Sequence, residues 1–328
     1  MYTVHVLWIG GIFYRMTTRR LRSADAISDV ASTESSILPS PHMPNSPVRF
    51  LSPSSHSSMD VKIISVGSRL PDLTSTELDL LLRKQRQLSA SAAITRASLD
   101  ETPHILNALA STLIFAQHEA GTAVCIDPRG WVLTCAHCFG ESEEEWMDSK
   151  RKWLLFYTGL VVQVECKVWD STRDLALAKV ISIESNSGKP GDLPQFCFVS
   201  LSTSSPVRNG PIVCIGQPGR DDLESKSGNR RTNYDLIEIS EGKFCGMIHG
   251  VDPQNNYEIG TLKHDAWTYW GHSGAPLLRR QDGTLIGLHS SWDDQTAMRH
   301  GIPFIAIEEF LRQHLPSVCD SGISSKSR

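Results

Sequence analysis

Several absences narrow the reading of this 328-residue sequence before any motif is considered. No apolar run approaches the about 20 residues that a membrane-crossing helix needs, so stable membrane insertion is not expected. There is no long basic run and the formal net charge is −4, which argues against nucleic acid as the main partner. The eight cysteines (125, 135, 138, 166, 197, 214, 245 and 319) are spread too thinly for a small disulfide scaffold. Their even number permits disulfides without demanding them, and they read mainly as reduced core hydrophobes. Cys135-Ala136-His137-Cys138 has the C-x-x-C spacing of zinc and thiol-redox sites. No second close pair completes the roughly four ligands a zinc site requires, so two packed thiols are the plainer reading. What is present is 40% hydrophobic and 21% charged residues, enough to fold one large or two modest domains around a core.

Residues 1–70 differ from the rest. Val4 to Tyr14 (VHVLWIGGIFY) resembles the apolar region of a signal sequence, but no basic residue precedes it. The adjoining MTTRRLRSADA has the Arg and Ser of a transit peptide, whereas Asp25, Asp29 and Glu34 break its acid-poor pattern. Residues 32–58 are rich in Ser and Pro and are expected to be disordered. Secretory, mitochondrial and plain unstructured leaders stay open, the last upstream of a start at Met59. Reduced thiols and an incomplete signal favour the cytoplasm.

Thr74-Ser75-Thr76-Glu77 fits a capping box. Leu78, Leu81, Leu82, Gln85 and Leu88 come next at helical spacing, which predicts a helix over 75–92 within an extension spanning 71–104. Residues 105–318 read as short strands separated by turns, ahead of a tail at 319–328. The runs are Thr112 to Ala116, Gly121 to Ile126, Trp131 to Thr134, Leu160 to Trp169, Leu175 to Ile181, Pro211 to Ile215, Leu236 to Ser240, Gly242 to Ile248 and Thr284 to His289. Such spacing predicts an all-β barrel or sandwich. Ile307, Phe310, Leu311 and Leu315 share one helical face and predict a single closing helix.

Three short motifs carry the chemistry. Gly271-His272-Ser273-Gly274-Ala275-Pro276-Leu277-Leu278 sets a serine between glycines. Small neighbours admit a substrate carbonyl, and glycines allow backbone N–H groups to turn toward a developing oxyanion. A serine hydroxyl needs an imidazole to take its proton, and the imidazole needs an acceptor on its other nitrogen. Thr134-Cys135-Ala136-His137-Cys138 supplies the base directly after a strand, and Arg173-Asp174-Leu175-Ala176-Leu177 the carboxylate directly before one. Asp170 competes with Asp174 for that role; Asp174 is preferred because the apolar run begins immediately after it. His249, His264, His289 and His300 read as surface or pocket residues, and Asp265 as a structural carboxylate.

In this order the motifs resemble those of trypsin-like serine peptidases. RDLALAKV and Gly216-Gln217-Pro218-Gly219 are closest to the HtrA/Deg branch, and GHSGAPL is similar to the GDSGGPL or GNSGGPL of the family. Asp265-Ala266 and Gly287 to Trp292 also resemble family segments, the latter the strand that binds substrate backbone. The resemblance covers about residues 105–318 and implies two six-stranded β-barrels, with His137 and Asp174 on the first and Ser273 on the second. It implies a serine endopeptidase acting on polypeptides through an acyl-enzyme, without metal or cofactor. The oxyanion hole would be the backbone N–H groups of Gly271 and Ser273, and substrate would meet Trp267, Trp270, Ser291 and Trp292. The stretch after residue 318 is too short for the PDZ domain of HtrA relatives, and oligomeric state is left open.

The departures set further expectations. His272 stands where trypsins carry the aspartate that pairs with a newly cut N-terminus, so activation by propeptide cleavage is not implied. Ala275 replaces a glycine and needs a negative φ. Trp267 occupies the position of trypsin's specificity aspartate, which removes the preference for Lys and Arg. Cys138 stands where trypsins place a disulfide cysteine, but Thr122 occupies the partner position. Crowding by Trp267, Tyr269 and Trp270 favours an alternative, a catalytically inert trypsin-fold module that binds proteins.

Overall fold

The computed structural model describes residues 3–9, 12–18, 61–98, 102–185, 195–222, 230–293 and 295–315. The stretch read as a leader contains an antiparallel hairpin, β1 (Thr3–Ile9) and β2 (Ile12–Thr18). The Ser/Pro-rich segment and the 319–328 tail lie outside the described residues.

After β3 (Lys62–Ser65), helix α1 runs over Ser75–Ser98, longer than the spacing predicts. Its capping box is formed as expected: Thr74 N–H donates to Glu77 Oε2 at 2.8 Å, and Glu77 N–H to Thr74 Oγ1 at 3.3 Å. Leu81 and Leu88 are buried. Helix α2 (Pro103–Ser111) stands where strand structure was expected to begin. Proline at its start, where no N–H is needed, is the signal for it.

Two barrels come next. The first comprises β4 (Thr112–Phe115), β5 (Thr122–Asp127), β6 (Trp131–Cys135), β7 (Arg151–Phe156), β8 (Val161–Asp170) and β9 (Leu175–Ser185). Pairing runs β9-β6-β5-β4-β7-β8 and closes through β8 on β9, while β3 adds in parallel to the far end of β9. A short helix, α3 (Glu143–Asp148), joins β6 to β7. The second barrel is β10 (Pro211–Gly216), β11 (Glu238–Met247), β12 (Leu262–His264), β13 (Pro276–Arg279), β14 (Leu285–Trp292) and β15 (Arg299–Pro303). The two runs expected at Leu236 to Ser240 and Gly242 to Ile248 are one strand, β11. Helix α4 (Phe304–His314) closes the domain.

Period-two alternation assigns each strand face to a different core. Ala123 and Cys125 of β5 point into the first barrel with Leu154, Val164 and Ala178. Val124 and Ile126 point the other way, into a shared core with Val213, Ile215 and Leu288 of the second barrel and Ile307, Phe310 and Leu311 of α4. That core locks the barrels together and fixes the loops that meet at their seam.

Candidate active site

His137 lies in a single 3₁₀ turn, Ala136–Cys138, at the end of β6. Asp174 lies just before β9, the neighbour of β6, so strand pairing brings the two residues together. The Asp174 carboxylate is 2.9 and 3.0 Å from His137 Nδ1 and accepts the His137 backbone N–H at 3.2 Å. Asp174 is buried, whereas the His137 side chain is 31% exposed, leaving the ring reachable from one side. The aspartate has φ of 53°, a left-handed conformation that Asp tolerates better than most residues. Asp170, the rival carboxylate, is occupied elsewhere: it pairs with Arg173 Nη1 at 2.6 Å and accepts the Arg173 backbone N–H at 3.0 Å.

The Ser273 loop belongs to the second barrel and is bound to the first. Thr122 N–H donates to the Ser273 carbonyl at 3.0 Å, and Gly121 N–H to the Gly271 carbonyl at 3.0 Å. Cys138, next to His137, directs its thiol at the Ser273 carbonyl at 3.7 Å. The serine loop thereby lies against the histidine turn. Gly271 and Gly274 have φ of 97° and 82°, and a Cβ on Gly274 would stand 2.1 Å from the Thr122 carbonyl. Ala275 is outside the positive-φ region, as its side chain requires. The N–H groups of His272, Gly274 and Ala275 each donate to a backbone carbonyl. Those of Gly271 and Ser273 take no partner among the described residues. Two free N–H groups beside a hydroxyl are suited to hold an anionic oxygen.

His272 points inward, not toward solvent. Its Nδ1 is 3.0 Å from the Tyr269 carbonyl, and its Nε2 is buried with no partner. Burial pushes its pKa down to about 3. His264, His289 and His300 are buried as well, which corrects their reading as surface or pocket residues. His264 Nε2 and His289 Nδ1 are 3.0 Å apart, and burial drives His264 to about 3 and His289 well below the usual range. His249 is exposed. Asp265 is exposed and caps the Lys243 backbone N–H, a structural part.

The expected substrate contacts separate into groups. Trp267 and Trp270 gather with Tyr269 and Tyr234 in one aromatic patch: Tyr234 lies 4.7 Å from Trp267, and Trp267 stacks on Tyr269 at 6.3 Å. Tyr234 was not anticipated, because its loop carries no motif. The Trp270 indole donates to the Asp221 carbonyl at 2.9 Å. Trp292 stands apart and is 44% exposed. The Ser291 hydroxyl accepts the Gly260 N–H at 3.1 Å.

All seven described cysteines are free. Burial pushes Cys138 up to about 12 and holds Cys135 well above the usual thiol range. One ligand atom each of Cys135, His137 and Asp174 lies within 4.8 Å of the others. The His137 and Asp174 groups of this trio are already bonded to each other. Thr122, at the position of the disulfide partner, instead accepts the Gln217 N–H at 3.0 Å through its hydroxyl.

The family described as "Trypsin-like peptidase domain" matches residues 121–288. No curated protein matches the chain. Among solved structures, one described as "HtrA-type protease AlgW with decapeptide" is similar at 19% identity with a TM-score of 0.42. The match covers 62% of this chain and 52% of that one, so the chain spans about half the length of that structure.

Proposed function

The chain belongs to the trypsin-like peptidase domain family, and from that premise we propose that it is a serine endopeptidase. One observation carries the reading: the His137 ring is held through Nδ1 by the Asp174 carboxylate at 2.9 Å. That bond leaves Nε2 as the nitrogen able to take a proton. In the reading, Ser273 attacks a peptide carbonyl while His137 removes its hydroxyl proton. Asp174 stabilises the imidazolium, and the N–H groups of Gly271 and Ser273 receive the oxyanion. His137 then gives the proton to the departing amine, and water releases the acyl group by the reverse sequence. Substrates are polypeptides. Among the described residues, no helix is long and apolar enough to cross a membrane.

The aromatic patch of Tyr234, Trp267, Tyr269 and Trp270 favours a second reading, an inert module that binds polypeptide without cleaving it. Labelling with a fluorophosphonate probe separates the two. Covalent labelling of the wild type but not of Ser273→Ala supports the peptidase. A triad of this kind that loses a member loses on the order of 10⁴-fold in rate or more, roughly 5 kcal/mol of transition-state stabilisation. No labelling of either protein sinks the peptidase reading.

A further inference from the structure

Helix α1 reaches the serine loop through a residue with no part in the reaction above. Lys84 shares the face of α1 that carries Leu81 and Leu88 and is 1% exposed. Burial pulls its pKa from 10.5 to about 7, with Glu119 opposing that shift and Arg83 and Arg220 adding to it. A buried ammonium is costly where an apolar side chain would fill the same space. Three acceptors match its three N–H bonds: the Phe115 carbonyl at 2.7 Å, the His118 carbonyl, and Gln217 Oε1 at 3.4 Å.

Both routes from these acceptors end at Gly271. Phe115 ends β4 and His118 lies in the turn that leads to β5, a turn closed by Phe115 N–H donating to the Gly121 carbonyl at 3.1 Å. Gly121 N–H in turn holds the Gly271 carbonyl. Gln217 is wholly buried and also donates from Nε2 to the Glu119 carbonyl at 2.8 Å. Two residues on, Gly219 N–H donates to the Trp270 carbonyl at 2.8 Å. That carbonyl and the Gly271 N–H belong to one planar trans peptide. Fixing the oxygen on Gly219 therefore aims the Gly271 N–H in the opposite direction.

We propose that Lys84 is a positioning residue for oxyanion binding: its ammonium gathers the 115–121 turn and Gln217, and through them sets the orientation of the Trp270–Gly271 peptide. Lys84 touches neither substrate nor reacting atoms. Its effect falls on the transition state, where the oxyanion has formed, and not on substrate binding. The consequence for rate rests on the serine peptidase reading; the backbone coupling does not.

Lys84→Met keeps a long unbranched side chain and removes the ammonium. We expect kcat on a peptide substrate to fall about tenfold or more, with KM within about twofold, both measured where the variant is folded, since the orphaned Phe115 and His118 carbonyls lower its thermal midpoint. Affinity for a peptide boronate, whose tetrahedral adduct uses the same N–H groups, falls in parallel. Amide hydrogen exchange rises across residues 267–276. Unchanged kcat in the folded variant, or a loss of kcat with no parallel loss of boronate affinity, overturns the proposal. If Lys84→Met does not fold, Gln217→Leu cuts the second route and carries the same tests. If the wild type neither hydrolyses peptides nor takes a fluorophosphonate, the peptidase reading falls and exchange alone decides the coupling. Faster exchange at 267–276 then upholds it, and unchanged exchange overturns it.

Discussion

Asp174 grips His137 at two points, the ring Nδ1 at 2.9 Å and the backbone N–H at 3.2 Å, so one carboxylate fixes both the tautomer and the turn that carries the ring. Asn is the informative substitution, because it tolerates the left-handed φ of position 174 as Asp does. Asp174→Asn should fold normally and lose on the order of 10⁴-fold in kcat and in fluorophosphonate labelling rate. Asp170→Asn should do the reverse. It leaves the Arg173 guanidinium, 15% exposed, without its anion and should cost on the order of 3–5 kcal/mol of stability. Its labelling rate at a temperature where it stays folded should remain within about tenfold of wild type. Equal labelling losses in both variants would refute this division of roles.

The buried histidines make the second barrel sensitive to acid. His264 and His272 are held near 3 by burial, below the ordinary value of 6.5 that each regains on unfolding. Between those values the unfolded chain binds more protons than the folded one, so stability is full above about pH 6.5 and falls as pH drops toward 3. Each residue contributes on the order of a few kcal/mol across that window. Denaturant midpoints measured from pH 7 to pH 4 should fall steeply. In His272→Asn, which can keep a hydrogen bond to the Tyr269 backbone without titrating, the fall should be shallower. Parallel curves for the two proteins would show that His272 does not carry the effect.

The candidate triad was legible because its chemistry constrains short stretches: a serine between glycines, and a histidine and an aspartate each flush against a strand. The strands were legible from alternation in long runs such as β8, where Val162, Val164 and Cys166 face the first barrel's core; past a bulge Val168 turns to the shared core instead. Short strands escaped, since the three residues of β12 cannot display a period. The runs at 236–240 and 242–248 looked separate because Glu241 and Gly242 interrupt the apolar pattern, yet β11 continues through both. The burial of His264, His272, His289 and His300 was missed because each is isolated in sequence; only barrel closure collects them. Lys84 did leave a signal. It stands three residues after Leu81 and four before Leu88, on the apolar stripe of α1, where a lysine is out of place.

A glycine with an ordinary φ can still be indispensable through contact. The Trp270 indole lies so close to Gly219 that a Cβ there would come within 2.0 Å of the ring. Gly219→Ala must displace the indole, and with it the bond from Gly219 N–H to the Trp270 carbonyl. Overpacking of this kind costs about 1–3 kcal/mol. We expect a folded protein whose fluorophosphonate labelling is slowed by about tenfold or more. Labelling at the wild-type rate would mean that the Trp270 carbonyl does not need this anchor.

Two thiols flank the proposed base, and one of them points at the loop of the proposed nucleophile, so the identity of the attacking atom can be tested by thiol chemistry. Only a thiolate reacts readily with an alkylating agent. Cys138 is pushed up to about 12 by burial, and Cys135 is wholly buried and also held as a thiol. Cys197, by contrast, is exposed. Brief treatment with iodoacetamide at pH 8 should therefore modify Cys197 first, as read by peptide mass spectrometry, while fluorophosphonate labelling stays at its untreated level. Ser273→Ala should lose that labelling with its thiols intact. If alkylation at Cys135 or Cys138 appears early and activity falls with it, a sulfur and not the Ser273 hydroxyl is the reactive group, and the assignment of roles around His137 must change.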